Sequence, residues 1–408
     1  MRDHMSQTKK RILFITGTRA DYGKLKPLIT AVENDAEAFE CELFVTGMHG
    51  MIRYGYTVDQ ILRDGWKKVY LHMNQIPGEP MEQIVANTIS GLSKYIHNCK
   101  PDLIVAHGDR IEALAAATVG SLQNICTGHI EGGELSGTID GVIRHAVTKL
   151  AHVHFVANGQ AAARVEQLGE SPESIHIIGS PDVDVMRSEN LPSLEQVKAR
   201  YEIPFEEYAV LMFHPVTTEL DTLAETANKL VESLIASNRN YVVVYPNNDE
   251  GTDIIFQAYK KLEKHPNFRI YPSLRFEYFL TLLKYAKLII GNSSAGIREA
   301  PVYGVPTINI GSRQIERFEH ISIINLSGND TQEIVSTIQN VWASKRFDPC
   351  YYFGEGNSAA LFLEMLKRDS FWKIDLQKSF KTQHDFVESK TAVTRTQPFF
   401  HPSANPQL

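Results

Sequence analysis

The sequence predicts an α/β protein: two Rossmann-like, doubly wound domains facing each other across a cleft. Three observations point there. Short apolar runs alternate with longer stretches of helical periodicity, the pattern of parallel sheets with helical crossovers. Several runs are apolar and β-branched at consecutive positions, as suits strands covered on both faces. Polar and ionisable residues gather where these runs end, and open α/β sheets bind ligands at the carboxyl ends of their strands.

The first series of expected strands covers residues 12–16, 41–46, 103–107, 125–129, 154–157 and 176–178. Helical stretches at 24–34, 81–97, 111–122 and 159–168 lie between them. The series breaks after Gly179-Ser-Pro-Asp182, and the polar, proline-containing stretch 188–193 reads as a linker. The second series has strands at 209–214, 242–245, 268–271, 287–290, 307–310 and 321–326, with helices at 219–236, 252–264 and 275–285. The expected domains are therefore 1–185 and 186–360. The helical stretch 359–367, which overlaps a terminal segment 361–380, is expected to cross back and pack on the first domain. Residues 381–408 are expected to be extended or disordered, because they lack periodicity and end in a proline-interrupted run.

At 408 residues the chain is long enough for two cores, and its composition is globular, with 43% hydrophobic and 22% charged residues. A net charge of -7 without a polybasic tract disfavours nucleic acid and anionic membranes as partners. An anionic ligand must then be held by local groups. Cys41, Cys99, Cys126 and Cys350 have no metal-ligand spacing and suggest no disulfide framework. No run is long enough to span a bilayer, and the first ten residues are polar and charged, so a soluble cytoplasmic protein is expected.

The most informative motif is His107-Gly-Asp-Arg110, followed by His129-Ile-Glu-Gly-Gly-Glu134, each after a strand-like run. Asp140 and Arg144-His145 come next in the chain. Ionisable groups crowded at neighbouring strand ends shift one another's pKa values, which places Asp109, Glu131 and Asp140 among the candidate catalytic groups. A metal set of His107, Asp109, His129 and Glu131 is the competing reading, and it implies a metallohydrolase. His152 and His154 alternate on one strand but have no acid partner at suitable spacing, so they read as structural. The first strand runs into a loop with Arg19, Asp21 and Lys24, where Arg19 can clamp a diphosphate.

In the second half, Gly291-Asn-Ser-Ser294 follows a strand and precedes a helical pattern. Small residues there let a backbone approach a ligand, and Ser293, Ser294 and a helix amino terminus offer donors to phosphate. The loop is neither a Walker A sequence nor the dinucleotide fingerprint. Glu299 is placed to accept from a ribose diol. His214, Asn247 and Arg313 mark three more polar strand ends.

Together these residues give the chain a resemblance to the hydrolysing UDP-N-acetylglucosamine 2-epimerases of bacterial sialic-acid biosynthesis, related to the epimerase half of the animal bifunctional epimerase/kinase. The resemblance runs from about Lys10 to about Lys367. It is carried by residues 18–24, 107–110, 129–140, Arg144-His145, 214–218, 246–249, 291–294 and 311–314. It implies a GT-B-like pair of Rossmann domains with substrate in the cleft. UDP-N-acetylglucosamine and water would give N-acetylmannosamine and UDP, by elimination to 2-acetamidoglucal and hydration, with no cofactor. It assigns catalysis to Asp109, Glu131, Asp140 and His214, with Glu134, Arg110 and His145 orienting them. Which acid is the base stays open. It assigns the nucleotide to Arg19, Lys24, Asn247, Gly291, Ser293, Ser294, Glu299 and Arg313. It also implies a homo-oligomer. The same chemistry on a 2,4-diacetamido sugar, a GT-B glycosyltransferase and a non-catalytic nucleotide-sugar sensor are the rival readings.

Overall fold

A computed structural model describes residues 9–136 and 139–381. The expected tail beyond 381 lies outside the described residues. The chain forms two parallel sheets, each with helices on both faces. In the first half the strands are β1 (Lys10–Thr16), β2 (Phe39–Val45), β3 (Val69–Leu71), β4 (Leu103–His107), β5 (Cys126–Ile130), β6 (Val153–Val156) and β7 (Ile175–Ile177). Its helices are α1 (Arg19–Asn34), α2 (Val58–Arg63), α3 (Met81–Cys99), α4 (Ile111–Leu122), α5 (Ile139–Leu150), α6 (Gly159–Gln167) and α7 (Pro181–Met186). The second half contains β8 (Ala209–Met212), β9 (Tyr241–Val244), β10 (Phe268–Tyr271), β11 (Ile289–Gly291), β12 (Thr307–Ile310) and β13 (Ile323–Leu326). Around them lie α8 (Leu194–Tyr201), α9 (Leu220–Ala236), α10 (Thr252–Tyr259), α11 (Phe276–Tyr285), α12 (Glu299–Val302), α13 (Thr331–Ala343) and α14 (Ser358–Leu366).

The strand orders are β3-β2-β1-β4-β5-β6-β7 and β10-β9-β8-β11-β12-β13. Each order reverses direction once, between β1 and β4 and between β8 and β11. Loops diverge at such points and leave a crevice beyond the strand ends. The loops after these four strands carry Gly17-Thr18, Gly108-Asp109, Phe213-His214 and Asn292-Ser293, and the two crevices open toward each other.

Helix α1 starts at Arg19, five residues earlier than expected, because Thr18 and Asp21 form a reciprocal capping box. Asp21 also accepts from Thr16 Oγ1 and from the amides of Gly17 and Thr18, which fixes the first loop. The sequence reading missed β3, a three-residue edge strand, and α5, although Ile139, Ile143, Val147 and Leu150 recur at helical spacing. Helix α10 ends at Tyr259, short of the expected 264.

The chain leaves the first domain through α7, which follows Gly179-Ser180, and returns beside the start of that helix at Phe353-Gly354. Ser180 N donates to Phe353 O at 2.7 Å. Gly179 and Gly354 both have positive φ, and a Cβ on Gly179 would stand 3.1 Å from the Gly354 Cα, so side chains there would push the two crossings apart. After the return, α14 lays Phe362 and Leu366 into the core built by Ile12, Phe14, Leu25 and Phe155. Phe362 is fully buried. Phe362→Ala should therefore cost about 3–5 kcal/mol of stability, measured by chemical denaturation, although the residue lies far in sequence from the rest of that core.

Candidate active site

The cleft between the switch points is lined from the first domain by Thr18, Asp21, Lys24, His107, Asp109, Arg110, Glu131, Asp140 and Arg144. The second domain supplies Met212, His214, Asn247, Ser293, Ser294, Arg313 and Arg317. Asp109, Glu131 and Asp140 thus share one cavity with the Ser293 loop. At about 150 Å³ it is smaller than the 300–1,000 Å³ usual for small-molecule sites. A larger hollow of about 510 Å³ beside α9 has no arginine, lysine or histidine in its lining to meet a diphosphate. The cleft, by contrast, is lined by Arg110, Arg144, Arg313 and Arg317.

The three carboxylates have different surroundings. Burial opposes ionisation of Asp109, but Arg144, Arg317 and Arg313 outweigh it and hold its carboxyl down at about 2. Arg144 contacts Asp109 through Nη2 and donates through Nη1 to the Glu131 carbonyl at 2.6 Å. Asp140 moves the other way. Burial and the charge of Asp109 push it up, against Arg313, whose Nη2 lies 2.8 Å from Asp140 Oδ2. Glu131 is buried, yet Arg298, Lys24 and His107 keep it well below the usual carboxylate range. Its Oε1 accepts from Ser180 Oγ at 2.5 Å and Arg298 Nη2 at 2.7 Å, and lies 3.4 Å from His107 Nε2. Its backbone takes the left-handed φ of 64°, uncommon for a residue with a side chain, which turns the carboxylate off the end of β5.

His214 is buried and uncharged, its pKa driven well down by burial and then by Arg313 and Arg110. Its Nδ1 accepts from Asn247 N at 3.1 Å. Asn292 bonds both the amide and the carbonyl of His214, at 2.7 and 2.8 Å, and so ties the loops after β8 and β11 together. Arg110 reaches Asp249 only at 3.8 Å and Glu112 at 3.5 Å, so its guanidinium has loose partners beside the cavity.

Several expected site residues are placed differently. Lys24 lines the cleft, but its ammonium sits 3.1 Å from both Asp182 and Glu299 and is committed to them. Glu299 is buried beneath that lysine and does not face an open ribose site. Gly291 is required by packing, since a Cβ there would stand 2.0 Å from the Met212 carbonyl oxygen. Ser293 and Ser294 do line the cavity, but they lead into a 3-10 turn, Ser294–Gly296, and the one-turn α12, so no long helix dipole stands behind them. Arg19 turns away, toward Tyr201, Arg275 and Arg200 of the second domain, and is not among the cavity-lining residues. Glu134 is buried between Arg298 and Arg317. His145 lies beside Arg144 outside the cavity lining.

The competing metal set loses a member. His129 places one ring nitrogen on Thr148 Oγ1 at 3.0 Å and the other on the Gly108 carbonyl at 2.8 Å. Contrary to the sequence reading, His154 does have an acid partner, Glu170, at 3.1 Å. Among the described residues no group of three histidine, cysteine or acidic side chains is arranged to hold a metal ion. Nor is any described helix long and apolar enough to cross a membrane.

Sequence reasoning missed Arg298, Arg317, Asp182, Ser180 and Asn292. Arg298 is the most consequential. It comes from the second domain and inserts among Glu131, Glu134, Asp182 and Ser180 of the first, with its guanidinium 4.6 Å from the Phe353 ring.

Comparison with known proteins identifies the family. The profile of the UDP-N-acetylglucosamine 2-epimerase family matches residues 31–367. The chain belongs to that family. It is similar to the UDP-N-acetylglucosamine 2-epimerase of Neisseria meningitidis serogroup B, with 48% identity over 91% of this chain and 98% of the relative. It is also similar to the UDP-N,N'-diacetylbacillosamine 2-epimerase (hydrolyzing) of Legionella pneumophila, with 30% identity over 88% of this chain and 96% of the relative. Among solved structures, the S. aureus MnaA–UDP co-structure has a TM-score of 0.72 at 21% identity, covering 92% of this chain and 100% of that one, and it shares the fold. In this epimerase-family site, removing Arg298 leaves buried carboxylates without a partner. Arg298→Met should cost about 3–5 kcal/mol, read as a fall in the denaturation midpoint.

Proposed function

We propose that the chain is a hydrolysing UDP-N-acetylglucosamine 2-epimerase, which converts UDP-N-acetylglucosamine and water to N-acetylmannosamine and UDP in the cytoplasm. The observation that carries this reading is that Asp109, Glu131 and Asp140 share one cavity with the Ser293 loop, with the carboxyls of Asp109 and Asp140 driven apart, the first down by its arginines and the second up by burial and the charge of Asp109. Two carboxyls pushed in opposite directions can divide the roles of base and acid that proton removal and return at one carbon require. N-acetylmannosamine is the amino-sugar precursor of sialic acid, which fits a role in capsule synthesis. The hydrolysing relative in Legionella supports the use of water as the second reactant.

In the first step the bond from carbon 1 to the UDP oxygen breaks and UDP leaves with the electron pair. Asp109 takes the proton from carbon 2, and the electrons of that C–H bond form the alkene of 2-acetamidoglucal. The hydrogen on carbon 2 is weakly acidic, so cleavage of the C1–O bond runs ahead and positive charge develops on the ring. Glu131, ionised beside it, stabilises that charge. Arg313, Arg110, Ser293 and Ser294 supply donors to the departing diphosphate, an electrostatic contribution of about 3–4 kcal/mol for one well-placed donor. His214, uncharged, keeps the loop beneath the phosphates in place through Asn247 and Asn292. Asp109 then releases the carbon 2 proton to solvent. In the second step Asp140 delivers its proton to carbon 2 from the opposite face while water adds its oxygen to carbon 1 and gives up a proton to the emptied Asp109. From Asp109, Asp140 is reprotonated through solvent. A homo-oligomer remains part of this proposal only by family resemblance.

The deciding experiment is NMR of UDP-N-acetylglucosamine with the enzyme in deuterated water. N-acetylmannosamine should appear with UDP and carry deuterium at carbon 2; retention of the substrate hydrogen there, or UDP-N-acetylmannosamine as the product, would overturn the reading. Asp109→Asn and Glu131→Gln should each lower turnover at least about a hundredfold while UDP still binds by calorimetry.

The pH dependence follows from the two shifts. Asp109 works ionised, so activity falls on the acid side as it protonates. Asp140 works protonated, so activity falls on the alkaline side as it ionises above its raised pKa. Arg313 lowers the Asp140 pKa, so Arg313→Gln should move the alkaline limb of kcat to higher pH. A limb that stays in place would assign it to another group.

A further inference from the structure

Helix α5 is the scaffold of the proposed chemistry. Asp140 stands in its first turn, and Arg144, one turn later, holds Asp109 and the Glu131 carbonyl. The opposite end of α5 is bound by a residue from the far end of the chain. The Lys378 ammonium donates to the carbonyls of Thr148 at 3.2 Å, Lys149 at 2.7 Å and Ala151, and lies 2.7 Å from Glu170 Oε2. A cation there satisfies the carbonyls that a helix leaves without partners at its carboxyl end and meets the negative pole of the helix. Glu170 is 3% exposed and is fixed by Lys149 Nζ at 2.6 Å and His154 Nε2 at 3.1 Å.

The segment carrying Lys378 is itself seated. Phe371 is buried in the first domain's core, Trp372 Nε1 donates to Leu366 O at 2.8 Å, and Lys381 N donates to Gly169 O at 2.9 Å. It lies after residue 367, where the match to the family profile stops.

We propose that Lys378 is a positioning residue for the reaction: by pinning the carboxyl end of α5, it sets where Asp140 and Arg144 stand at the catalytic end. A helix of twelve residues is about 18 Å long. A tilt of roughly 3° about one end moves the other by about 1 Å, and a misplacement of that size can lower a rate about a hundredfold. The inference rests on the role given to Asp140 in the preceding section.

The test compares Lys378→Gln and Lys378→Arg in the full chain, with kcat, KM, the number of UDP sites by calorimetry and hydrogen exchange of the α5 amides. Lys378→Gln should lower kcat at least about tenfold, equivalent to 1.36 kcal/mol, with KM and UDP stoichiometry unchanged and faster exchange in α5. Lys378→Arg should recover most of kcat. An unchanged kcat in Lys378→Gln overturns the proposal, as does a fall matched by an equal loss of UDP sites, which would mean only that fewer molecules are folded. Asp140→Asn separates the two ideas. If it is inactive while Lys378→Gln is normal, the clamp alone is wrong; if it is active while Lys378→Gln is impaired, the reading of Asp140 is wrong and the clamp acts through Arg144.

Discussion

One guanidinium holds the two sides of the site together. Arg298 belongs to the second domain, yet its partners are Glu131, Glu134, Asp182 and Ser180 of the first. Burying that cation and those anions is tolerable only because each supplies the other's missing solvation. The acid at the end of β5 is therefore fully paired only when the two domains meet. Lys24 reinforces the pairing from the first domain through Asp182, Glu299 and, at 4.0 Å, Glu131.

That network explains why three carboxylates in one cavity behave differently. Glu131 and Asp109 each face cations at close range, and both stay ionised against the cost of burial. Asp140 has Arg313 on one side and the negative charge of Asp109 on the other, so burial prevails and its proton is retained more strongly. The division of labour proposed between base and acid thus rests on which arginine reaches which carboxyl. Residue type alone does not contain it.

The strand ends were legible in the sequence because ionisable residues replaced ordinary turn residues there, and Asp109, Glu131, Asp140, Ser293, Ser294 and Arg313 do line one cavity. What escaped were residues whose meaning depends on a distant partner. Arg298 and Arg317 sit in helical or loop contexts where a surface cation is the ordinary expectation; their burial comes from the other domain. Lys24 and Glu299 were misread for the same reason: each looked ready for a ligand, and the fold pairs them with each other. Two misses did leave a local signal. Thr18 and Asp21 have capping-box spacing, and α5 repeats its apolar residues every three to four positions. Gly291 was noticed for the right reason, a close backbone approach, but the neighbour is the Met212 carbonyl.

The adjoining crossings at Ser180 and Phe353 bear on how a substrate gets in. Two lobes joined by a single tether can swivel freely, whereas two tethers fastened side by side act like paired pins on a door, leaving mainly a swing about the line through them. The remote rim of such a door travels furthest. Pairs such as Arg53 with Asp253 and Tyr54 with Asn248, which link the lobes elsewhere along the cleft, are then its catches. They can release while the buried arginine next to the pins hardly shifts, so a nucleotide sugar could be admitted without dismantling the charged assembly that must act on it.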